Sequence, residues 1–175
     1  KYHWLIDSIK DPSDPVEAAT ILQRHLKKEI RYSSEFSRFY RGFLSPISME
    51  KVRVAACENL ANYTVLAMRS CGIPITYDNI LYWANDRYGH VYNSIICSND
   101  SVEYFFSVSD NPPEKRELSE GATRVWRSTF KLRPDVFVEN KEKAQIPSKF
   151  LNGHYVDITG MYSNVATLNR KIPDS

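Results

Sequence analysis

Cysteine is scarce. Cys57, Cys71 and Cys97 are the only three in 175 residues, an odd and low count that excludes a disulfide scaffold and leaves at least one thiol free in any compartment. No CxxC or HxxxH pair occurs, so spacing offers no zinc site, and no metal or other cofactor is expected. No apolar run approaches the roughly 20 residues of a membrane-spanning helix. Nor does a basic segment followed by an apolar one open the chain in the manner of a signal peptide. A dominant charge sign is missing too: the net charge is +2 and the basic residues are scattered, which leaves no footprint for nucleic acid or an anionic membrane surface. Small polar or peptide-like partners fit better. Internal repeats and low-complexity tracts are also lacking. Because the first residue is Lys1 and not Met, a trimmed start is expected, compatible with a removed signal peptide or lipid anchor.

The length suits one domain with a real core, or one domain plus a fragment of another. Asp14 as N-cap, Pro15 in the first helical position and Glu17 closing a capping box predict a helix start. Val16, Ala19, Leu22, Leu26 and Ile30 recur at helical spacing, which carries this helix to about Arg31. Phe36, Phe39, Tyr40, Phe43 and Leu44 read as a helical, core-packing segment up to Ser45-Pro46, with Ser48 capping the next stretch. The clearest helix runs from about Ala55 to Ser70. Cys57, Leu60, Ala61, Thr64 and Met68 share one face of it, and Gly72, Ile73 and Pro74 form its stop.

From Ile75 the period changes to two. Strands are expected over 75–82, 90–97 and 102–108, the last two joined by a turn at 98–101, with a polar and aromatic loop from Trp83 to Gly89. Asp110-Asn111-Pro112-Pro113 closes the hairpin, and 114–121 is charged and linker-like. Further strands are expected at 124–130 and 156–162, with a mixed, charged stretch between. The predicted organisation is a core over 1–121 and an extension over 122–175, which either packs on that core or begins a second domain.

Within this pattern Cys57 sits in the first turn of a helix after two small residues, and His90 follows Gly89 at a strand entrance. A thiol attacks as thiolate, and a helix N-terminus and a nearby imidazolium both favour that form, so the pair suits acyl transfer. Cys71, at the wrong end of the helix dipole, and Cys97, at a strand end, read as structural. His3 and His154 have no partners at meaningful spacing, and His25, beside Arg24, Lys27 and Lys28, reads as solvated.

Cys57, the run Ala67-Met68-Arg69-Ser70-Cys71-Gly72-Ile73-Pro74, and Gly89-His90-Val91-Tyr92 followed by a hairpin resemble the transglutaminase-like core, over about Val52 to Pro113. The resemblance implies an α+β fold of the papain-like cysteine protease type, with N-terminal helices packed on a small antiparallel sheet. It makes Cys57 the nucleophile, His90 its base and the Cys57 amide part of an oxyanion hole, with Tyr82 or Trp83 adding a donor or wall to the substrate site. Tyr82-Trp83-Ala84-Asn85, Asp110-Asn111-Pro112 and the 124–130 segment are similar to transglutaminase-like proteins of Bacteroides-type bacteria. Those are usually exported lipoproteins in which a β-sandwich follows the core, so an extracytoplasmic setting is implied.

The family's orienting Asp corresponds here to Phe106 or nearby, leaving Asp110 as the only nearby carboxylate after that strand. A hairpin symmetric about Asn99 and Asp100 sets His90 opposite Ser109 and turns Asp110 away; a three-residue turn with one bulge sets Asp110 opposite His90. Three readings follow. One is a Cys57, His90, Asp110 peptidase or amidase acting on a peptide, protein or glycopeptide carboxamide. Another is an inactive member of the fold that binds glycan or peptide at the cell surface. The third is purely structural, a spacer domain before a β-sandwich.

Overall fold

The structure, a computed structural model, describes residues 1–40, 42–85, 88–97, 102–112, 121–135 and 146–162. The turn expected at 98–101, nearly all of the charged stretch 114–121 and most of 134–146 lie outside the described residues.

Asp14 starts helix α1 (Pro15–Glu29) as its sequence suggests: Oδ1 accepts the N–H groups of Val16 at 2.8 Å and Glu17 at 3.2 Å. The capping box does not close, because the Asp14 N–H is already bonded to the Asp11 carbonyl at 3.0 Å. Glu17 Oε2 instead accepts the N–H groups of Lys10 and Asp11, at 3.1 and 2.9 Å, and ties the incoming chain to the helix. The aromatic segment departs further from expectation. Helix α2 is a single turn, Phe36–Phe39, too short to present a repeating face to the core. Phe36 and Leu44 reach the core, but Phe39 is 86% and Phe43 60% exposed. Helix α3 (Pro46–Val52) is capped by Ser45, whose Oγ accepts the Ser48 N–H at 3.1 Å, so Ser48 is its third residue and not its cap.

Two short parallel strands, β1 (Arg31–Tyr32) and β2 (Val54–Ala55), bring the end of α1 beside the start of helix α4 (Cys57–Arg69). On α4 the predicted face is buried: Leu60, Ala61, Thr64 and Met68 are all 0% exposed. Gly72 at φ +80° ends it, since only glycine takes that backbone without strain, and the Ile73 N–H returns to the Met68 carbonyl at 3.1 Å.

An antiparallel sheet packs on α4. Its strands are β3 (Ile75–Ile80), β4 (His90–Ile96), β5 (Val102–Phe105), β6 (Val125–Ser128) and β7 (Tyr155–Asp157), in the spatial order β5-β4-β3-β6-β7. The molecule is therefore α+β, helices against a five-stranded sheet. The described strands after residue 121 pair with β3 and with each other, so this part of the extension packs on the core. The strand expected at 156–162 is split, because Asp157 Oδ1 accepts both the N–H and the hydroxyl of Thr159 and starts a helical turn, Thr159–Tyr162.

The main core lies between α1, α4 and the sheet, around Leu22, Leu26, Leu60, Met68, Ile75 and Ile95. Asn93 on β4 donates to the Ala61 carbonyl at 3.0 Å and locks strand to helix. A second, smaller cluster of Ile80, Tyr92, Phe106, Ala122 and Val125 sits at the end of the sheet nearest the first turn of α4, and Cys57 and Trp83 pack against it. Among the described residues no helix is long and apolar enough to cross a membrane.

Candidate active site

Cys57 is the first residue of α4 because β2 runs extended into Ala56 (φ −75°, ψ 168°), whose side chain has no acceptor for the N–H groups that begin the helix. Those donors remain turned toward the cleft. His90 is the first residue of β4, opposite Ile80. Gly89 makes that pairing possible: a Cβ there would stand well inside contact distance of the Ile80 and Leu81 carbonyl oxygens, both rigid backbone. Gly89→Ala is expected to cost about 1–3 kcal/mol by forcing the β3–β4 junction apart. Urea unfolding checks this; an unchanged midpoint would remove Gly89 from the account of how His90 is placed.

Cys57 and His90 line one cavity of about 830 Å³, walled by Tyr32, Arg38, Glu58, Asn79, Tyr88 and Val91 among others. A second cavity, about 630 Å³, lies between the N-terminal turn and the side of α4. His3 and Cys71 both line it, but Cys71 follows the C-terminal end of α4, where the helix dipole disfavours a thiolate.

The electrostatics differ from the thiolate–imidazolium pair expected from the sequence. Burial pushes the Cys57 thiol up and the Glu58 carboxylate adds to that, while the backbone N–H groups of Glu58 and Val91 pull the other way without winning. Burial also brings His90 down to about 4. At neutral pH the resting pair is thiol and neutral imidazole. The helix dipole is present, but half-buried walls outweigh it.

The rings around His90 account for its burial. Phe106 is stacked on it at 5.0 Å between centroids with 28° between planes, Tyr92 meets it edge-on at 4.8 Å, and Trp83 lies roughly parallel at 6.3 Å. Trp83 is thus a wall against His90 and not part of the cavity lining. Tyr82 is 55% exposed and outside that lining, because β3 ends at Ile80 and the Tyr82 carbonyl is bonded to the Thr123 N–H and hydroxyl.

Neither hairpin register considered for Asp110 is adopted. The β4–β5 ladder pairs Asn93 with Phe105 and Ile96 with Val102, one residue away from the symmetric arrangement. It stops at Phe105, after which the chain turns: the Asp110 N–H bonds the Phe106 carbonyl at 3.3 Å, and the Asp110 carboxylate accepts the Phe106 N–H at 3.0 Å. Asp110, 3% exposed, takes part in this turn. Strand pairing therefore does not set it opposite His90.

Sequence reasoning missed Glu58, the Val91 N–H and Arg38 as cleft groups. Glu58 was within reach of it, being the residue after a candidate nucleophile in a helix's first turn. The other two depend on how β4 and α2 pack on α4, which no local pattern encodes. Among the described residues, no cluster of three or more His, Cys, Asp or Glu side chains is arranged to hold a metal ion.

A thiol on the first turn of a helix, sharing a cavity with a histidine at the start of a strand in an antiparallel sheet, suits the cysteine-protease-like α+β class. Comparison with protein families matches residues 4–107, more than half of the chain, to the transglutaminase-like superfamily. The chain belongs to that superfamily. No curated protein matches it in sequence.

Proposed function

We propose that the chain is a cysteine-dependent acyl-transfer enzyme of the peptidase or amidase type, acting on a peptide, protein or glycopeptide carboxamide. The observation that carries this reading is the shared cavity: Cys57 and His90 line it together, with the N–H groups of Glu58 and Val91 facing the sulfur. Cys57 Sγ attacks the carboxamide carbon as its proton passes to His90. The oxyanion that forms is held by the uncapped N–H groups at the start of α4. His90 then protonates the leaving amine as the C–N bond breaks, leaving a thioester on Cys57. Water, deprotonated by His90, attacks the thioester, releases the acid and restores the thiol. Since both partners are neutral at rest, proton transfer accompanies attack and does not precede it.

Amine release from a set of peptide carboxamides tests the proposal. Turnover is expected to vanish in Cys57→Ala and to fall by about 10²–10⁴-fold in His90→Ala, and hydroxylamine is expected to trap the acyl group as a hydroxamate. A second reading, an inactive cleft that binds peptide or glycan, draws support from the raised thiol and from Phe106 beside His90. It predicts no turnover and saturable ligand binding that survives Cys57→Ala. An extracytoplasmic setting and a following β-sandwich domain belong to the same proposal, supported by the likeness of segments 82–85 and 124–130 to exported relatives.

A further inference from the structure

We infer that Phe106 orients His90 by stacking, and that Asp110 and Gln23 are positioning residues that hold Phe106 in place for that task. The inference deepens the reading of the cleft as a Cys57/His90 site and rests on it for its meaning, though not for its test.

Three elements converge on Phe106. From its own turn, Asp110 takes the Phe106 N–H on its carboxylate and gives its own N–H to the Phe106 carbonyl. Helix α1 supplies Gln23, 0% exposed, whose Nε2 donates to the carbonyl oxygens of Phe106 and Ser107. Tyr32 of β1 stands edge-on against the Phe106 ring at 5.9 Å. Both backbone polar groups of Phe106 are thus occupied and its ring meets Tyr32 at right angles, so the ring has little freedom to leave His90. Two buried polar side chains, Asp110 and Gln23, are spent on the backbone of the Phe106-Ser107 turn, a costly use of buried polar groups unless the turn is held for a purpose.

A carboxylate orients an imidazole by accepting its N–H; a flat ring fixes the plane of the imidazole and leaves its nitrogens to the cleft. Tyr92 of β4 meets His90 edge-on, and the titratable and charged groups that share its cavity are Cys57 and Glu58 of α4, Tyr32 of β1, Arg38 and Tyr88. Burial dominates over these and keeps His90 neutral, the form that can take the Cys57 proton.

The experiment is NMR of the His90 ring protons with a pH titration, in wild type, Phe106→Leu, Phe106→Tyr and Asp110→Ala. Phe106→Leu is expected to reduce the upfield ring-current shift of His90 to what Trp83 and Tyr92 contribute, and to move its midpoint from about 4 toward 6.5. Phe106→Tyr is expected to retain both. Asp110→Ala is expected to resemble the Leu variant in part, by loosening the plate without removing it. If Phe106→Leu leaves the His90 shifts and midpoint unchanged, the inference is wrong. The same holds if Phe106→Tyr behaves as Leu does, or if Asp110→Ala folds with wild-type His90 signals. Should Asp110→Ala not fold, the Leu and Tyr pair decides alone. None of these readouts needs turnover, so an inactive Cys57 with an intact Phe106 effect would sink the enzyme reading and leave the positioning role standing.

Discussion

Asp78→Ala is expected to cost about 3–5 kcal/mol, a large part of the total stability of a domain this size. Asp78 lies on β3, 0% exposed, with four donors on one carboxylate. Arg127 of β6 meets it as a two-point ion pair, Nε to Oδ1 and Nη2 to Oδ2, each at 2.8 Å. Ser94 of β4 and the Tyr162 hydroxyl, the latter at 2.6 Å, both donate to Oδ2. Burial disfavours the Arg127 charge, but the bonds to Asp78 more than offset it and its pKa is raised. Burial and the Asp78 charge together hold the Tyr162 phenol protonated. Removing the carboxylate strands a guanidinium and two hydroxyls inside the protein at once. Replacing both members of the pair, Asp78→Leu with Arg127→Met, is expected to cost much less than the sum of the single changes, because no charge is left unpaired. Chemical denaturation of the four proteins measures this. A cost under about 1 kcal/mol for Asp78→Ala would show that the cluster does not join β6 and the Thr159–Tyr162 turn to the sheet.

Acid is expected to destabilise the protein through His90. Its pKa is about 4 when folded, against an ordinary 6.5. Above pH 6.5 the ring is neutral in both states and no stability is lost. Between 6.5 and 4 the unfolded chain takes up the proton and the folded one does not, so stability falls with pH, by up to about 3 kcal/mol from this group alone. Below 4 the folded protein also binds the proton and the loss levels off. His90→Gln removes the titration. The difference between wild type and His90→Gln in urea midpoints at pH 7.5, 5.5 and 4 isolates the effect, since the carboxylates common to both cancel. Parallel pH profiles for the two proteins would refute it.

The parts of this molecule that could be read in advance are those decided within one turn of chain. Asp14 caps α1 because its carboxylate reaches N–H groups two and three residues on. Gly72 stops α4 because only glycine takes a positive φ freely there, and the buried face of α4 follows from residue spacing. Where a partner lay elsewhere in the chain, expectation failed. Glu17 bonded Lys10 and Asp11 in place of its own cap, and Phe39 and Phe43 remained in solvent because α2 is one turn long. Asp78 and Arg127 gave no signal as a pair, since their meeting needs β6 inserted beside β3.

The same division runs through the candidate site. Residue type and local geometry alone determined that a thiol would begin a helix and that an imidazole would enter a strand behind a glycine. Only the tertiary structure decided that they share a cavity, that its walls neutralise both, and that a ring held by Asp110 lies against His90. A capping bond or a helical face is set by neighbours that the chain cannot avoid. Burial and ring stacking depend on surfaces brought together from α1, α4 and both ends of the sheet, and those exist only once the chain has folded.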